Sequence, residues 1–317
     1  MFYFDPLYAV VLVVLSAIIP GVLIGFPLLR NTNLSRLEKV VISFIAGLFI
    51  PPFLSFIENG FLNIPFSQTM VYLNILLTTV IGIVIFWKFG YIERIPKLWK
   101  EEVAAKLKEP KFNWITAIKS VVLSPAFIIL VLMFLAWFLR FQAWTPIYQE
   151  LDPYYYTYGT HQLLTLGNKP LVDDSAWYPQ VTVSHRGMPL YHFMIGHWYY
   201  LYTPNYDKYI LTAVSSMYPS IVAALLVFMA YLFIKTIYDE RYGLFAAGLM
   251  ALLPATLLKM AAGVFELQPL SIFVAFFFFA MFALAIKFGR KEYYLLCGGA
   301  LAVMILGGTV TILLLIE

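Results

Sequence analysis

The sequence has little charge and almost no cysteine. Among its 317 residues, 12% are charged and 62% are hydrophobic, whereas an ordinary soluble domain has about 25% charged and roughly 45–50% apolar residues. A soluble fold cannot hide so much apolar area from water, so the composition excludes one. The single cysteine, Cys297, excludes an intramolecular disulfide and a cysteine zinc motif. The net charge of +4 is small and lies in alternate loops, which argues against a nucleic-acid partner.

Long apolar runs take up most of the chain. A helix needs about 20 apolar residues to cross a bilayer, and eight runs approach that length, although the sixth is short. They predict an all-α integral membrane protein with multiple spans, at Leu7–Leu29, Leu37–Ile57, Met70–Phe89, Val121–Phe141, Tyr209–Ile234, Tyr242–Leu258, Leu267–Ile286 and Tyr293–Ile316.

Basic residues follow every second span, whereas residues 58–69 contain no Lys or Arg. Because cytoplasmic loops carry an excess of basic residues, this alternation predicts that both termini, including the N-terminus, lie outside. Residues 1–120 are then an N-terminal membrane region with three spans and a basic cytoplasmic segment. Residues 121–317 form a membrane core with a long external loop at 142–208, after span four.

Two segments between the spans also have helical character. Tyr91–Lys119 mixes charges at helical spacing, which indicates either an amphipathic helix on anionic lipid or a solvated linker. Pro189–Tyr202 is apolar but contains His192 and His197. A ninth span there would break the alternation of the basic loops downstream, so we predict an interfacial helix for Pro189–Tyr202.

Two acidic clusters lie on the predicted external side, at 150–156 after span four and at 263–269 between spans six and seven. Carboxylates near hydrocarbon are costly and often mark a path for ions or substrate. Two of them from separate segments can hold a hard divalent cation. An acidic residue at a helix N-terminus can equally be a cap or a partner of the helix dipole, so the residues alone leave both interpretations open.

The clusters resemble motifs of a known family. Glu-Leu-Asp-Pro-Tyr-Tyr-Tyr at 150–156 is similar to the first external motif of oligosaccharyltransferase catalytic subunits of archaeal type. These are GT-C-type membrane glycosyltransferases that move a glycan from a polyprenyl (pyro)phosphate carrier to asparagine. The resemblance continues through Gly-Asn-Lys-Pro at 167–170 and Arg-Gly-Met-Pro-Leu-Tyr at 186–191. It resumes at Lys-Met-Ala-Ala-Gly-Val-Phe-Glu at 259–266.

Carried over position by position, the resemblance implies a site for a divalent metal, Mn²⁺ or Mg²⁺. Asp152 is implied to bind the metal and to activate the acceptor amide. Glu266 is implied to be a second catalytic carboxylate and metal ligand, with Gln268 as a third ligand. The family usually has Asp at the first of these two positions and an acidic or imidazole ligand at the second. The neutral Gln268 can still ligate through its carbonyl, but less negative charge implies weaker metal binding.

Four more residues are implied to bind substrate, namely Glu150, His185, Arg186 and Lys259. Lys259 takes the place of an arginine and can pair with Glu266 or with a phosphate, but a lysine at a helix end can equally snorkel to the interface. Arg186 suits bidentate phosphate contact. With His185 it can equally stabilise the loop through ordinary hydrogen bonds.

The resemblance thus implies a GT-C-type membrane glycosyltransferase with a lipid-linked sugar donor, a polypeptide or other acceptor, and bound membrane lipid. Its site is expected on the external face of a prokaryotic plasma membrane. The Trp-Trp-Asp-Tyr-Gly acceptor motif of the family is missing, so we expect the 317 residues to be the N-terminal part of a longer protein. The alternative function is a non-catalytic relative that acts as a membrane scaffold or lipid-binding subunit. A transferase that uses polyprenyl-phosphate-linked mannose also stays open.

Overall fold

Helices make up almost all of the structure. The computed structural model describes residues 4–91, 120–148, 150–170, 172–173, 182–183, 189–264 and 268–308. One short antiparallel strand pair is formed by β1 (Val172–Asp173) and β2 (Thr182–Val183). The helices are α1 (Pro6–Leu28), α2 (Arg36–Leu62), α3 (Gln68–Lys88), α4 (Pro125–Phe141), α5 (Asp152–Leu166), α6 (Pro189–Tyr202), α7 (Lys208–Ile237), α8 (Glu240–Leu252), α9 (Pro254–Lys259), α10 (Gln268–Phe288) and α11 (Lys291–Gly307).

Five of these helices, α1, α2, α3, α7 and α10, are long and apolar enough to cross a membrane, and α4 is a shorter apolar helix of 17 residues. The predicted all-α fold with multiple spans is therefore confirmed. The predicted amphipathic segment Tyr91–Lys119 lies outside the described residues after its first one.

The sixth predicted span is two helices rather than one. α8 ends at Leu252 and α9 begins at Pro254, and Leu253 between them is extended, with φ −58° and ψ 119°. Proline disfavours the helical conformation in the residue before it, so Pro254 divides the run. The last part of the eighth predicted span, Tyr293–Ile316, lies beyond the described part of α11.

The basic loops meet at one end of the bundle. Lys235 in the last turn of α7 places its Nζ 2.8 Å from Glu38 Oε1 of α2 and 2.9 Å from Glu240 Oε1 of α8. The hydroxyl of Tyr293 in α11 accepts a hydrogen bond of 3.0 Å from the backbone N–H of Asn33. The segments that follow spans one, five and seven thus lie side by side. We call this end of the bundle the basic end.

The opposite end carries the segment between α4 and α7. The side-chain amide of Asn59, at the end of α2, donates a hydrogen bond of 2.8 Å to the carbonyl of Gly167, which follows α5. The hydroxyl of Tyr202 in α6 accepts a hydrogen bond of 3.1 Å from the backbone N–H of Asp5. Helices α1 and α2 are therefore attached to the later ones at both ends of the bundle.

Helix α6 begins and ends at the predicted residues, but its surroundings differ from the prediction. Every residue from Leu190 to Tyr200 is buried, because α2, α5, α7 and other helices pack around it. The Nε2 atom of His197 forms a buried hydrogen bond of 2.8 Å with Ser55 Oγ of α2. The polar residues that suggested an interfacial helix are thus satisfied inside the bundle.

Helices α1 and α2 cross where both have small residues. A Cβ atom at Gly47 would lie 1.9 Å from the carbonyl oxygen of Ala17, and one at Gly21 would lie 2.1 Å from that of Ser43. In lipid, close backbone approach at small residues is a main source of helix association. The glycines of this crossing are therefore needed for α1 and α2 to pack.

Candidate functional site

Asp152 is the first residue of α5 and lies at the end of the bundle opposite to the basic end. Pro153 follows it in the first turn, where the missing N–H of proline costs nothing. The Asp152 side chain is exposed, and no hydrogen bond joins its carboxylate to a group in the described part of the chain. It lies within the first turn, where the helix dipole favours negative charge, rather than at the N-cap, which is Leu151.

A buried tyrosine anchors the start of α5 to α7. The hydroxyl of Tyr148 forms a hydrogen bond of 2.5 Å with Thr157 Oγ1 of α5 and a second one with Ser215 Oγ of α7. Burial raises the pKa of the Tyr148 hydroxyl, so it stays neutral at physiological pH. The position of the first acidic motif is therefore set by one turn of α7.

The second motif is attached to the same turn of α7. The backbone N–H of Gly263 donates a hydrogen bond of 2.9 Å to the carbonyl of Ser216. Gly263 has a φ of 92°, which only glycine adopts without strain. The N–H of Ala262 donates at 3.0 Å to the carbonyl of Arg140 in α4. Consecutive residues of α7, Ser215 and Ser216, thus hold the two motifs.

Two of the predicted substrate-binding residues, one from each motif segment, lie close together. Lys259 Nζ lies 3.8 Å from Glu150 Oε1, and about half of each side chain is exposed. An exposed pair of this kind contributes only about 0–1 kcal/mol to stability. The contact therefore reports that the segments are close, and it does little to hold them together.

The structure describes some of the predicted ligands and not others. Gln268 is the first residue of α10 and is exposed, whereas Glu266, His185 and Arg186 lie outside the described residues. In the described part of the chain, no three His, Cys, Asp or Glu side chains come together as a metal site. The predicted donor set of Asp152, Glu266 and Gln268 is thus only partly described, and its assembly stays a prediction.

Residues 118–316 match the family model described as oligosaccharyl transferase STT3, N-terminal. The chain belongs to this family. No curated protein matches the chain. Helices α1 to α3 precede the matched residues. Both acidic motifs lie within the matched residues.

Arg140, in the STT3-family region, is a structural residue that the sequence reasoning missed. Its side chain is almost fully buried and donates hydrogen bonds of 3.0 Å to the carbonyls of Ala136 and Ala251 and to Thr256 Oγ1. Cations are favoured beside the carbonyls that end a helix, and Ala251 lies in the last turn of α8. The available signal was an arginine at the end of an apolar span.

Two cavities at the same end of the bundle were also not predicted. The cavity next to α5 has a volume of about 270 Å³, and the cavity between α2 and α6 has a volume of about 530 Å³. In the larger one, Lys169 Nζ lies 3.2 Å from His192 Nε2. Residues that line the smaller one include Tyr148, Tyr154, Tyr158, His161, Tyr206 and Lys208. Tyrosine, histidine and lysine give the end of the bundle opposite to the basic end many hydrogen-bond donors.

Proposed function

We propose that the chain is the membrane part of an oligosaccharyl transferase that moves a glycan from a polyprenyl (pyro)phosphate carrier to an acceptor. The acceptor is a polypeptide asparagine or another nucleophile. The proposal places the site at the end of the bundle opposite to the basic end. Because cytoplasmic loops are the basic ones, we infer that this end faces outwards and that the N-terminus is external. The plasma membrane of a prokaryote stays a prediction.

One observation carries the proposal. The first motif attaches to Ser215 through Tyr148, and the second attaches to Ser216 through Gly263. The motifs are more than 100 residues apart in sequence, and yet both are attached to the same turn of α7. A transferase needs this arrangement, since its catalytic groups must be fixed relative to one another before substrate binds.

The residues then have distinct tasks. The exposed carboxylate of Asp152 would accept a hydrogen bond from the acceptor amide and, with Glu266 and the carbonyl of Gln268, would supply the oxygen ligands that Mn²⁺ or Mg²⁺ prefers. When bound, such a cation neutralises the charge that develops on a departing diphosphate. Lys259 would exchange its weak contact with Glu150 for the carrier phosphate, and His185 and Arg186 would add donors from the loop.

The test is glycan transfer by the full-length protein from a polyprenyl-diphosphate-linked donor to an asparagine peptide, measured by mass spectrometry. We expect Asp152→Asn to lower the rate at least about 100-fold, as removal of one preorganised group does in other enzymes. The control is Asp5→Asn at the same end of the bundle, where Asn can still cap α1. Equal rates for wild type and Asp152→Asn would contradict the assignment.

The second candidate function is a non-catalytic scaffold or lipid-binding subunit. The neutral Gln268 favours it, because a position that is usually acidic or imidazole in the family has no charge here. A scaffold needs no metal and no acceptor. Carrier binding without any glycan transfer by the wild-type protein would support this candidate.

A further inference from the structure

We propose that the basic end contains a binding site for an anionic diacyl phospholipid, in a cavity between α1, α2 and α11 that we call the inner cavity. The inner cavity has a volume of about 560 Å³, within the usual range of about 300–1,000 Å³ for ligand sites. It lies at the opposite end of the bundle from the proposed catalytic site. The inference is therefore independent of the proposed function.

The walls of the inner cavity suit an acyl chain. They are aliphatic and include Ile24, Leu28, Ile42, Ala46, Ile50 and Leu296. A hydrocarbon chain gains contact with such walls, whereas water in the cavity would find few partners. The apolar wall therefore selects a ligand with a long apolar part.

The rim of the inner cavity suits an anionic headgroup. Arg30 and Lys291 lie there together with a single carboxylate, that of Glu292, so the rim has a net positive charge. The guanidinium of Arg30 stacks over the ring of Phe89, 4.3 Å from its centroid, which leaves its edge to bond a phosphate. Basic pockets between helices at the cytoplasmic side are known sites for anionic headgroups.

A buried hydroxyl gives a second and independent indication of a ligand. Ser43 is fully buried and lines the inner cavity, and its Oγ atom has no hydrogen-bond partner in the described structure. Buried polar groups nearly always have one. The ester group of a diacyl lipid can accept a hydrogen bond from Ser43 while its phosphate binds Arg30 and Lys291 at the rim.

The experiment measures lipid affinity of the purified protein in neutral detergent by native mass spectrometry. The added lipids are phosphatidylglycerol, phosphatidylcholine and polyprenyl phosphate. A basic residue near an anionic lipid surface is worth about 1 kcal/mol, or roughly fivefold in affinity. We expect Arg30→Gln and Lys291→Gln each to weaken phosphatidylglycerol binding about fivefold, and the double variant roughly 30-fold, with phosphatidylcholine binding unchanged.

Matched variants separate a site from general attraction. Arg241→Gln removes the same charge at the basic end but away from the inner cavity, and should leave the affinity unchanged. Arg30→Lys keeps the charge and should keep most of the binding. Ser43→Ala should weaken both diacyl lipids a few-fold.

Three results would overturn the proposal. The first is equal loss of phosphatidylglycerol binding in Arg30→Gln and Arg241→Gln, because general attraction to the basic end would then explain it. The second is binding of polyprenyl phosphate alone. The third is unchanged binding of the diacyl lipids by Ser43→Ala, because no ester group would then lie in the inner cavity.

Discussion

Replacement of Arg140 by methionine tests how the second motif is held. The side chain of Arg140 joins α4 to the end of α8 and to Thr256 in α9. Its own carbonyl accepts the hydrogen bond from Ala262. Methionine has a similar length and no donor, so the substitution removes the polar contacts with little change in volume.

The magnitude follows from the acceptors that lose their donor. Two acceptors in other helices, the carbonyl of Ala251 and the hydroxyl of Thr256, lie 3.0 Å from the guanidinium. The carbonyl of Ala251 is left without a donor, which costs about 1–3 kcal/mol for a buried acceptor. The hydroxyl of Thr256 still donates to the carbonyl of Leu253, so the loss of its bond and of the longer bonds to the carbonyls of Met250 and Thr256 adds only about 1–2 kcal/mol. Together these losses give roughly 2–5 kcal/mol. Removal of the buried cation recovers part of this, because its desolvation is costly. We therefore expect Arg140→Met to lower the free energy of unfolding by about 2–4 kcal/mol.

The assay is thermal unfolding in detergent combined with amide hydrogen exchange. A loss of this size corresponds to a decrease in Tm of roughly 4–10 °C in a protein of a few hundred residues. Exchange should become faster in residues 250–264 and stay unchanged in α1 to α3, since the contacts of Arg140 lie in α8 and α9. Arg241→Met, at an exposed position of α8, is the control, with an expected change within about 0.5 kcal/mol. Wild-type stability and exchange in Arg140→Met would show that the side chain of Arg140 does not stabilise the segment that leads to the second motif.

Two further substitutions test packing and protonation. Gly47→Ala should destabilise the protein by about 1–3 kcal/mol, because the new methyl group would overlap the carbonyl of Ala17. The control is Gly298→Ala, where a new methyl group would meet no atom within 4 Å, and it should be neutral. Equal unfolding temperatures for the two variants would show that the close approach of α1 and α2 does not require Gly47. The pKa of His161 is lowered by burial and by the nearby charge of Lys208, so the unfolded chain takes up this proton at a higher pH than the folded protein does. Stability should therefore decrease as the pH falls from 7.5 to 5.5, His161→Gln should show a smaller decrease in Tm over this range, and an identical decrease would exclude His161 as the cause.

The helices were predictable because membrane spans are specified by local composition. The limits of α6 at Pro189 and Tyr202 and the two ends of the bundle follow from apolar length and from the alternation of basic residues. The break at Pro254 follows from a local rule as well, although we predicted an uninterrupted run. The burial of α6 was not predictable, because it depends on which helices surround it.

The closeness of the two motif segments was predictable from the sequence, but the contacts that hold these segments were not. Asp152 and Lys259 were found through a resemblance of short motifs, and these motifs lie on neighbouring segments. The contacts that hold the motifs, from Tyr148, Ser215 and Arg140, depend on which turn of α7 faces each segment. No periodic pattern in the sequence encodes that register, because α7 is buried on every face along most of its length.

We propose that the two motifs form one metal-dependent site for a polyprenyl diphosphate. The most direct test measures binding of Mn²⁺, by electron paramagnetic resonance, to the full-length protein with and without a polyprenyl-diphosphate analogue. We expect that wild type binds Mn²⁺ and that the analogue strengthens this binding. Asp152→Asn should lose both effects, and Gln268→Asp should bind Mn²⁺ more tightly because it adds a charged ligand. Mn²⁺ binding that is equal in wild type and Asp152→Asn would exclude Asp152 as a metal ligand.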